Sequence, residues 1–451
     1  MTVAPGRHKV LADVAELNGC RGGKPVVLAH GCFDVLHPGH IGYLREAKAK
    51  GDVLVVSVTA DEYVNKGPGK PVFSQWQRME QLAALDMVDY VVPSNAPTAA
   101  EVIEAVRPDL FVKGGDYDEQ GIIQEEKDAL ASVGGRLAFT PYFPVPKEDL
   151  NGTFHSYSEE TWRWLEGFRR RHSADEILGS VDSIANLSIL VVGESITDRY
   201  VIVNTLTKSP REHHLSVKKL RTEAYHGGSV AIQNHLAGFA KNVRLVCQRE
   251  PIVKERFVEE QEFRKLFSIQ TLPDTLSIKL EGLDLLAHAA EYSMVIAMDY
   301  GHGLFTPELR DGLQKQARFL AVNCQTNSAN YGLNLATKWK RLDFICMDGP
   351  EQRLALANGW DIYSASNVLL TNGSKGCNFG MDVPSFVTQL VDRVGAGDAL
   401  FSLTAPLTCL GVDREVAAFV GSCAAAMQCA TFGNEKPIDP KVLRKFIRRL
   451  V

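Results

Sequence analysis

The sequence predicts two successive α/β units, each built on a mainly parallel sheet. Three observations point there. The chain has 451 residues, too many for one hydrophobic core. Short β-branched apolar runs alternate with helical patterns along its whole length, the signature of parallel α/β architecture. Between about residues 144 and 187 this alternation gives way to a loop and one strongly amphipathic helix, which divides the chain.

In the first unit, Pro25 to Ala29 reads as a strand, followed by a turn and a helix through Tyr43 to Lys50. Further strands are expected at Asp52–Val58, Tyr90–Pro93, Leu110–Lys113 and Leu137–Pro141. Pro144-Val-Pro-Lys-Glu-Asp-Leu-Asn-Gly152 is a loop. Ser158 then begins a helix through Arg171, with Glu159 and Glu160 in its first turn, where they favour the dipole. A linker helix is therefore placed at 161–186, between units at 1–160 and 187–451. The second unit opens on the strand Ser188–Gly193. Buried strands are expected at Met294–Met298, Phe319–Val322 and Val368–Thr371, and a buried helix at Val416–Thr431.

Composition narrows the function. Apolar residues make up 45% and charged residues 23%, with no low-complexity tract, as in an ordinary globular protein. A net charge of -5 argues against a nucleic-acid binder, and no apolar run is long enough for a membrane span. The nine cysteines are scattered, without Cys-x-x-Cys pairs or zinc-ligand spacing, so reduced thiols in the cytoplasm are expected.

The first chemical site is Gly31-Cys-Phe-Asp34 leaving a strand and His37-Pro-Gly-His40 entering a helix. Two imidazoles three residues apart at a helix start share a face. The free amides there favour anions, Gly39 permits close approach, and Pro38 has no amide to waste. Nucleotidyl transfer needs such donors, aimed at charge on an α-phosphate and a leaving pyrophosphate. The alternative, histidines that merely cap a helix, suits a lone histidine better than this pair. Cys32 reads as a small packing residue.

These residues resemble the Gly-x-Phe-Asp-x-x-His-x-Gly-His signature of the cytidylyltransferase-like superfamily. Val112-Lys113-Gly114-Gly115-Asp116-Tyr117, Lys66-Gly-Pro-Gly-Lys70-Pro-Val and Gln77-Arg78-Met79 narrow the resemblance, over about residues 24–160, to the adenylyltransferase domain of bifunctional heptose-phosphate kinase/adenylyltransferases. It implies a Rossmann-like nucleotidyltransferase domain in which His37 and His40 stabilise the transferring phosphoryl group. Lys66 and Arg78 would contact phosphates, and the backbone at Gly31, Phe33 and Asp34 would hold the nucleotide. Lys113, Gly114 and Asp116 complete the nucleotide site. The family's closing Ser/Thr cluster here reads Thr153-Phe-His-Ser156-Tyr-Ser158, so Ser156 and Ser158 are expected to serve, with the nucleotide open between ATP and CTP.

In the second unit, Asp392-Arg-Val-Gly395-Ala-Gly-Asp398 precedes the buried helix. Small residues at a helix start form an anion nest, and an aspartate just beyond can take a proton from a hydroxyl. By itself such a turn is common. Together with Val192-Gly-Glu194 through Asp198, Gly227-Gly228, Asp299-Tyr-Gly-His-Gly303 and Asn323-Cys-Gln-Thr-Asn327, it resembles the ribokinase-like carbohydrate kinases, a three-layer α/β fold. The resemblance implies Asp398 as catalytic base, the amides of Gly395, Ala396 and Gly397 as anion hole, and Asp198, Gly227 and Gly228 against the sugar. Residues 200–226 are read as a hairpin lid. His213-His214, adjacent on an extended segment, point apart and are not read as metal ligands.

The departures are a shortened stretch from Glu351 to Leu390, where the family walls the ATP base, Ser229-Val-Ala-Ile after the di-glycine, and a domain order opposite to that of the heptose enzymes. The resulting expectation is an enzyme joining a sugar 1-phosphate to a nucleoside triphosphate, fused to a sugar kinase. Its substrates would be a sugar phosphate and ATP or CTP, with Mg²⁺ as cofactor. It would have no nucleic-acid or membrane partner, and a homodimer is among the expectations. The alternative is a monofunctional nucleotidyltransferase whose kinase-like half is a non-catalytic binding or dimerisation module.

Overall fold

A computed structural model of the chain describes residues 9–19, 23–64, 70–115, 122–141, 157–206, 215–261, 264–278, 280–327, 330–361 and 365–451. It divides into two compact units, Met1–Ser156 and Tyr157–Val451.

The first unit is Rossmann-like. Its strands are β1 (Val26–Gly31), β2 (Val53–Thr59), β3 (Tyr90–Ser94), β4 (Leu110–Lys113) and β5 (Arg136–Phe139). They form one parallel sheet in the order β3-β2-β1-β4-β5. Helices α1 (Pro38–Lys48), α2 (Gln75–Ala83), α3 (Ala100–Val106) and α4 (Gln124–Ser132) connect them. Alternation along β1 explains how the sheet is covered on both faces. Val26 and Leu28 enter one apolar cluster with Val102, Ile103 and Phe111, while Val27 and Ala29 enter the other with Leu44, Met79 and Leu82. The strand order reverses between β1 and β4, and the crevice at their carboxyl ends is where such sheets bind ligands.

The second unit begins earlier than expected. The segment read as a linker forms α5 (Glu159–Arg171) and α6 (Ala174–Ser183). Leu165, Phe168, Ile177, Leu178, Val181 and Ile184 from these helices belong to the second unit's own core. Their helical spacing gives each helix an apolar stripe, and burying it holds the segment against that core. The Trp164 ring stacks on Phe168 at 4.8 Å, and its Nε1 donates to the carbonyl of Asp382 at 2.9 Å.

The strands that follow are β6 (Ser188–Gly193), β7 (Ser195–Thr205), β8 (Val217–Gly228), β9 (Asn242–Val246), β10 (Ile252–Glu259), β11 (Lys265–Thr271) and β12 (Met294–Asp299). After them come β13 (Leu320–Cys324), β14 (Leu342–Asp348), β15 (Ala365–Thr371), β16 (Cys377–Asn378) and β17 (Asp382–Val383). Eight of them form the order β17-β16-β15-β14-β13-β12-β6-β9, parallel except for the β15-β16-β17 end. Ile189 and Val191 face one core, Leu190 and Val192 the other, so helices cover both faces in a three-layer α/β arrangement. Among these helices are α7 (Ser229–Ala237), α8 (Leu280–Ala287), α9 (Pro307–Gln316), α10 (Gly349–Ala357), α11 (Ala396–Cys409), α12 (Arg414–Cys429) and α13 (Pro440–Leu450).

A separate four-stranded sheet, β11-β10-β7-β8, contains the segment expected to be a lid and is called the lid sheet. The hairpin expected at 200–226 is part of it, and His213 and His214 lie outside the described residues. The stretch from Glu351 to Leu390 keeps both a helix, α10, and a hairpin, β16-β17, the latter reduced to two-residue strands. No described helix is long and apolar enough to cross a membrane.

Candidate active sites

In the first unit, β1 ends at Gly31 and the chain turns through Cys32–Asp34 into α1. Phe33 sits at φ 48°, a left-handed conformation that costs a bulky residue free energy and is retained where surrounding packing demands it. Its buried ring meets the His40 ring edge-on at 5.3 Å and stacks on Tyr43 at 6.3 Å. His37 is the N-cap of α1, its Nδ1 accepting the His40 amide at 3.3 Å. With Nδ1 accepting, the ring hydrogen of neutral His37 belongs on Nε2. The two imidazoles stack with centroids 3.7 Å apart, 22° from parallel. The helix start thus presents two aligned rings and the Gly39 amide at the positive end of the helix, as anion stabilisation requires.

The structure gives the side chains of Arg78 and Lys113 other work, and the Asp34 side chain, whose backbone was the expected contact, orders a loop. The Asp34 carboxylate accepts from the amides of Val72 and Phe73 at 2.6 and 3.1 Å and lies 3.5 Å from Lys70 Nζ, which fixes the loop before α2. Arg78 is fully buried. Its guanidinium donates to the carbonyls of Phe73 (2.9 Å), Cys32 (2.5 Å) and Thr59 (2.8 Å) and to Asp61 Oδ1 (2.6 Å). It therefore ties the Gly31–Asp34 turn to the end of β2, a structural clamp instead of the expected phosphate contact. Lys113, buried at the end of β4, pairs with Glu126 at 2.9 Å. Gly114 follows it at the carboxyl edge of the sheet.

Ser158 belongs to the second unit, where its Oγ caps α5 by accepting the Thr161 amide at 3.2 Å. Lys66, Asp116 and Ser156 lie outside the described residues.

His30 was not singled out by sequence. At the end of β1 it contacts Ser57 Oγ at 2.9 Å through Nδ1, and burial, then the charge of Lys113, lowers its pKa to about 4. An open hollow of about 710 Å³ beside His37 is lined by Leu36, Ile41, Arg45 and Leu85 among others.

In the second unit, a cleft of about 250 Å³ gathers Asp198, Gly228, Lys254, Arg256, Tyr300, Gln325, Gly395, Gly397 and Asp398. It lies at the carboxyl ends of β6, β12 and β13, under lid strands β7 and β10. Asp398, in the first turn of α11, receives Tyr300 Oη at 3.4 Å and Gln325 Nε2 at 3.5 Å on one oxygen. Burial first, and the neighbouring charge of Asp198 second, raise its pKa to about 7. A carboxyl poised there suits a general base near neutrality. Gly395 caps α11 at φ 82°, where a Cβ would collide with Asn434, so the turn before Ala396 and Gly397 needs glycine.

Asp198 is buried and paired with the Arg256 guanidinium. Gly228, at φ 60°, returns the lid hairpin against Glu194, and any Cβ there would meet the Glu194 carbonyl. Gly227, next to it on β8, packs beside Asp198. Glu194, raised to about 7 by burial and then by Asp299, accepts the amides of Tyr300, His302 and Leu304 at 2.9 to 3.2 Å and so shapes the far wall.

Sequence reading brought Asp198, Gly228, Gly395, Gly397 and Asp398 to one cleft, gave no role to Tyr300 and Gln325 within the segments it matched, and missed Lys254, Arg256 and Asn434. Lys254 and Arg256 had one signal: charged residues two apart on a strand point to the same face.

Comparison with known proteins follows this division. A family model described as Cytidylyltransferase-like matches residues 28–144. The first unit is thus a cytidylyltransferase-like domain. Over 129 residues the chain is 44% identical to the bifunctional protein HldE of Syntrophotalea carbinolica, covering 28% of this chain and 26% of that protein. The chain therefore spans about a quarter of the length of the curated relatives it matches. A solved lipopolysaccharide core biosynthesis protein from Thermoplasma volcanium is 31% identical, covering 28% of this chain and all of that one, with a TM-score of 0.24. A ribokinase from Thermotoga maritima, 16% identical with a TM-score of 0.42, covers 58% of this chain and 99% of its own.

Proposed function

We propose that the chain is a two-domain enzyme of nucleotide-sugar synthesis. The first unit joins a sugar 1-phosphate to a nucleoside triphosphate, giving an ADP-heptose-like nucleoside-diphosphate sugar and pyrophosphate. The observation that carries this is the stacked pair His37 and His40 at the start of α1, 3.7 Å apart beside the Gly39 amide. In the reaction the sugar phosphate oxygen attacks the α-phosphorus, and pyrophosphate leaves on the opposite side. The imidazoles and amides stabilise the charge spread over the α-phosphate oxygens and the leaving group. The likeness to the HldE proteins in this domain supports an adenine nucleotide and a heptose phosphate as first choices.

The second unit transfers the γ-phosphoryl group of ATP to a sugar hydroxyl, with Asp398 taking the hydroxyl proton and Gly395, Ala396 and Gly397 forming the anion hole. Mg²⁺ carried by the triphosphate would neutralise charge on its phosphoryl oxygens in both sites. The eight described cysteines form no disulfide with one another, which supports a reducing, cytoplasmic setting. Exposed Leu220, Phe267 and Ile269 on lid strands support a homodimer.

One observation favours a second reading, in which the kinase-like unit only binds ligand. Asp198 is already paired with Arg256 inside the cleft. Sugar-dependent ATP turnover in the parent protein and in Asp398→Asn separates the two. Turnover lost in the variant supports catalysis, whereas a parent without turnover supports binding alone.

A further inference from the structure

The lid and the anion-hole turn share a buried carboxylate. Asp392, which opens the Asp392–Asp398 turn, is 7% exposed, and its two oxygens serve that turn and the lid. Oδ1 accepts the amides of Arg393 and Val394 at 2.7 and 3.2 Å, holding the turn that leads into Gly395. The same oxygen takes the ammonium of Lys265, on lid strand β11, at 2.8 Å. Oδ2 accepts Tyr200 Oη, on lid strand β7, at 2.9 Å.

Tyr200 is itself fully buried and flanked by two cations, Lys265 at 5.9 Å and Arg256 at 5.7 Å from its ring. Arg256 in turn grips Asp198 in the cleft. Asp198, Arg256, Tyr200 and Asp392 thus form one unbroken series of contacts from the acceptor end of the cleft to the amides before the anion hole. Burial alone would raise the Asp392 pKa, but the Lys265 ammonium and the Tyr200 hydroxyl more than offset it and hold the carboxylate charged.

We propose that Lys265 is a positioning residue for phosphoryl transfer: acting through Asp392, with Tyr200, it locks the Gly395–Gly397 turn to the lid, so that the anion hole takes its shape only when the lid is seated. The inference rests on the kinase reading of the second unit. Lys265 does not line the cleft and touches no reacting atom. Its role is to fix the direction of the amides, and a misplacement of about 1 Å there can cost on the order of a hundredfold in rate.

The full chain with Lys265→Met is compared with the parent, using MgATP and a panel of hexose and heptose monophosphates. Lys265 is 42% exposed on the lid, so the fold should tolerate the change. The variant should lose roughly tenfold to a hundredfold in kcat, with the sugar KM moved by less than about threefold. Tyr200→Phe should fall between the two, and Lys265→Arg, which keeps the charge, should restore most of the rate.

Hydrogen exchange at residues 393–397 should rise in Lys265→Met, whatever the turnover. Unchanged exchange, unchanged kcat, or a loss confined to KM each overturns the proposal while leaving the kinase reading intact. A parent that turns over none of the panel overturns both.

Discussion

The imidazoles of His37 and His40 stack 3.7 Å apart while His37 Nδ1 accepts the His40 amide. This places the His37 hydrogen on Nε2, away from the helix, where it can meet a phosphate oxygen. Replacing either histidine by alanine should lower the rate of pyrophosphate release about a hundredfold or more, as loss of a charge-stabilising donor does elsewhere. His37→Asn preserves an oxygen acceptor for the cap, so it should keep the fold and still lose the rate. Steady-state kinetics with circular dichroism on each variant checks this.

Arg78 should behave as a structural residue. Its four oxygen partners come from the turn after β1, the end of β2, the loop after it and the entry to α2. Arg78→Met leaves those carbonyls and Asp61 without their donor. Such a loss costs about 3 kcal/mol or more, which for a unit of this size lowers the melting temperature by roughly 6 °C or more. Thermal unfolding measures it. A variant with parental stability and only a raised nucleotide KM would return Arg78 to the phosphate role.

Asp398 gives a pH prediction with a definite sign. Its carboxyl is raised to about 7, and only the deprotonated form can act as base. The kcat/KM for sugar phosphorylation should therefore fall as pH drops through about 7. Asp198→Asn, which removes the second contributor to the shift, should move that limb to lower pH. A raised acid also costs stability once charged. Asp398→Asn should melt higher than the parent at pH 8, and the gain should shrink toward pH 5, where the parent carboxyl is already protonated.

Two glycines of the anion hole should respond differently. A Cβ on Gly395 would collide with Asn434 at a left-handed φ, whereas nothing lies within 4 Å of a Cβ on Gly397. Gly395→Ala should therefore lower the melting temperature as well as the turnover. Gly397→Ala should leave stability alone and cut turnover, because its methyl enters the cleft. Paired melting curves and rates test the contrast.

What was legible in the sequence was local. The strand–turn–helix around His37 and the Gly395–Asp398 turn each lie within about ten residues, so spacing alone conveys their geometry. Arg78 was misread because its burial depends on segments up to 46 residues away. Ser158 was read both as the N-cap of its helix, which the structure shows, and as a site serine, two roles that look alike until the helix finds its core. The linker helix was legible but its unit was not, since Leu165 and Phe168 do not reveal in sequence which unit they pack against. Tyr300 and Gln325 reach Asp398 from the ends of β12 and β13, and Lys254 joins the cleft from the four-stranded sheet, a meeting of distant segments that no single run of sequence records.

The most direct test of the nucleotidyltransferase reading is pyrophosphate release from the full chain. It is measured over a panel of sugar 1-phosphates with ATP, CTP and GTP, in the parent and in the double variant His37→Ala/His40→Ala. At least one sugar phosphate should give pyrophosphate and a nucleoside-diphosphate sugar, with ATP favoured, and the double variant should be nearly inactive. Pyrophosphate from no pairing, or an undiminished rate without the two histidines, would contradict it.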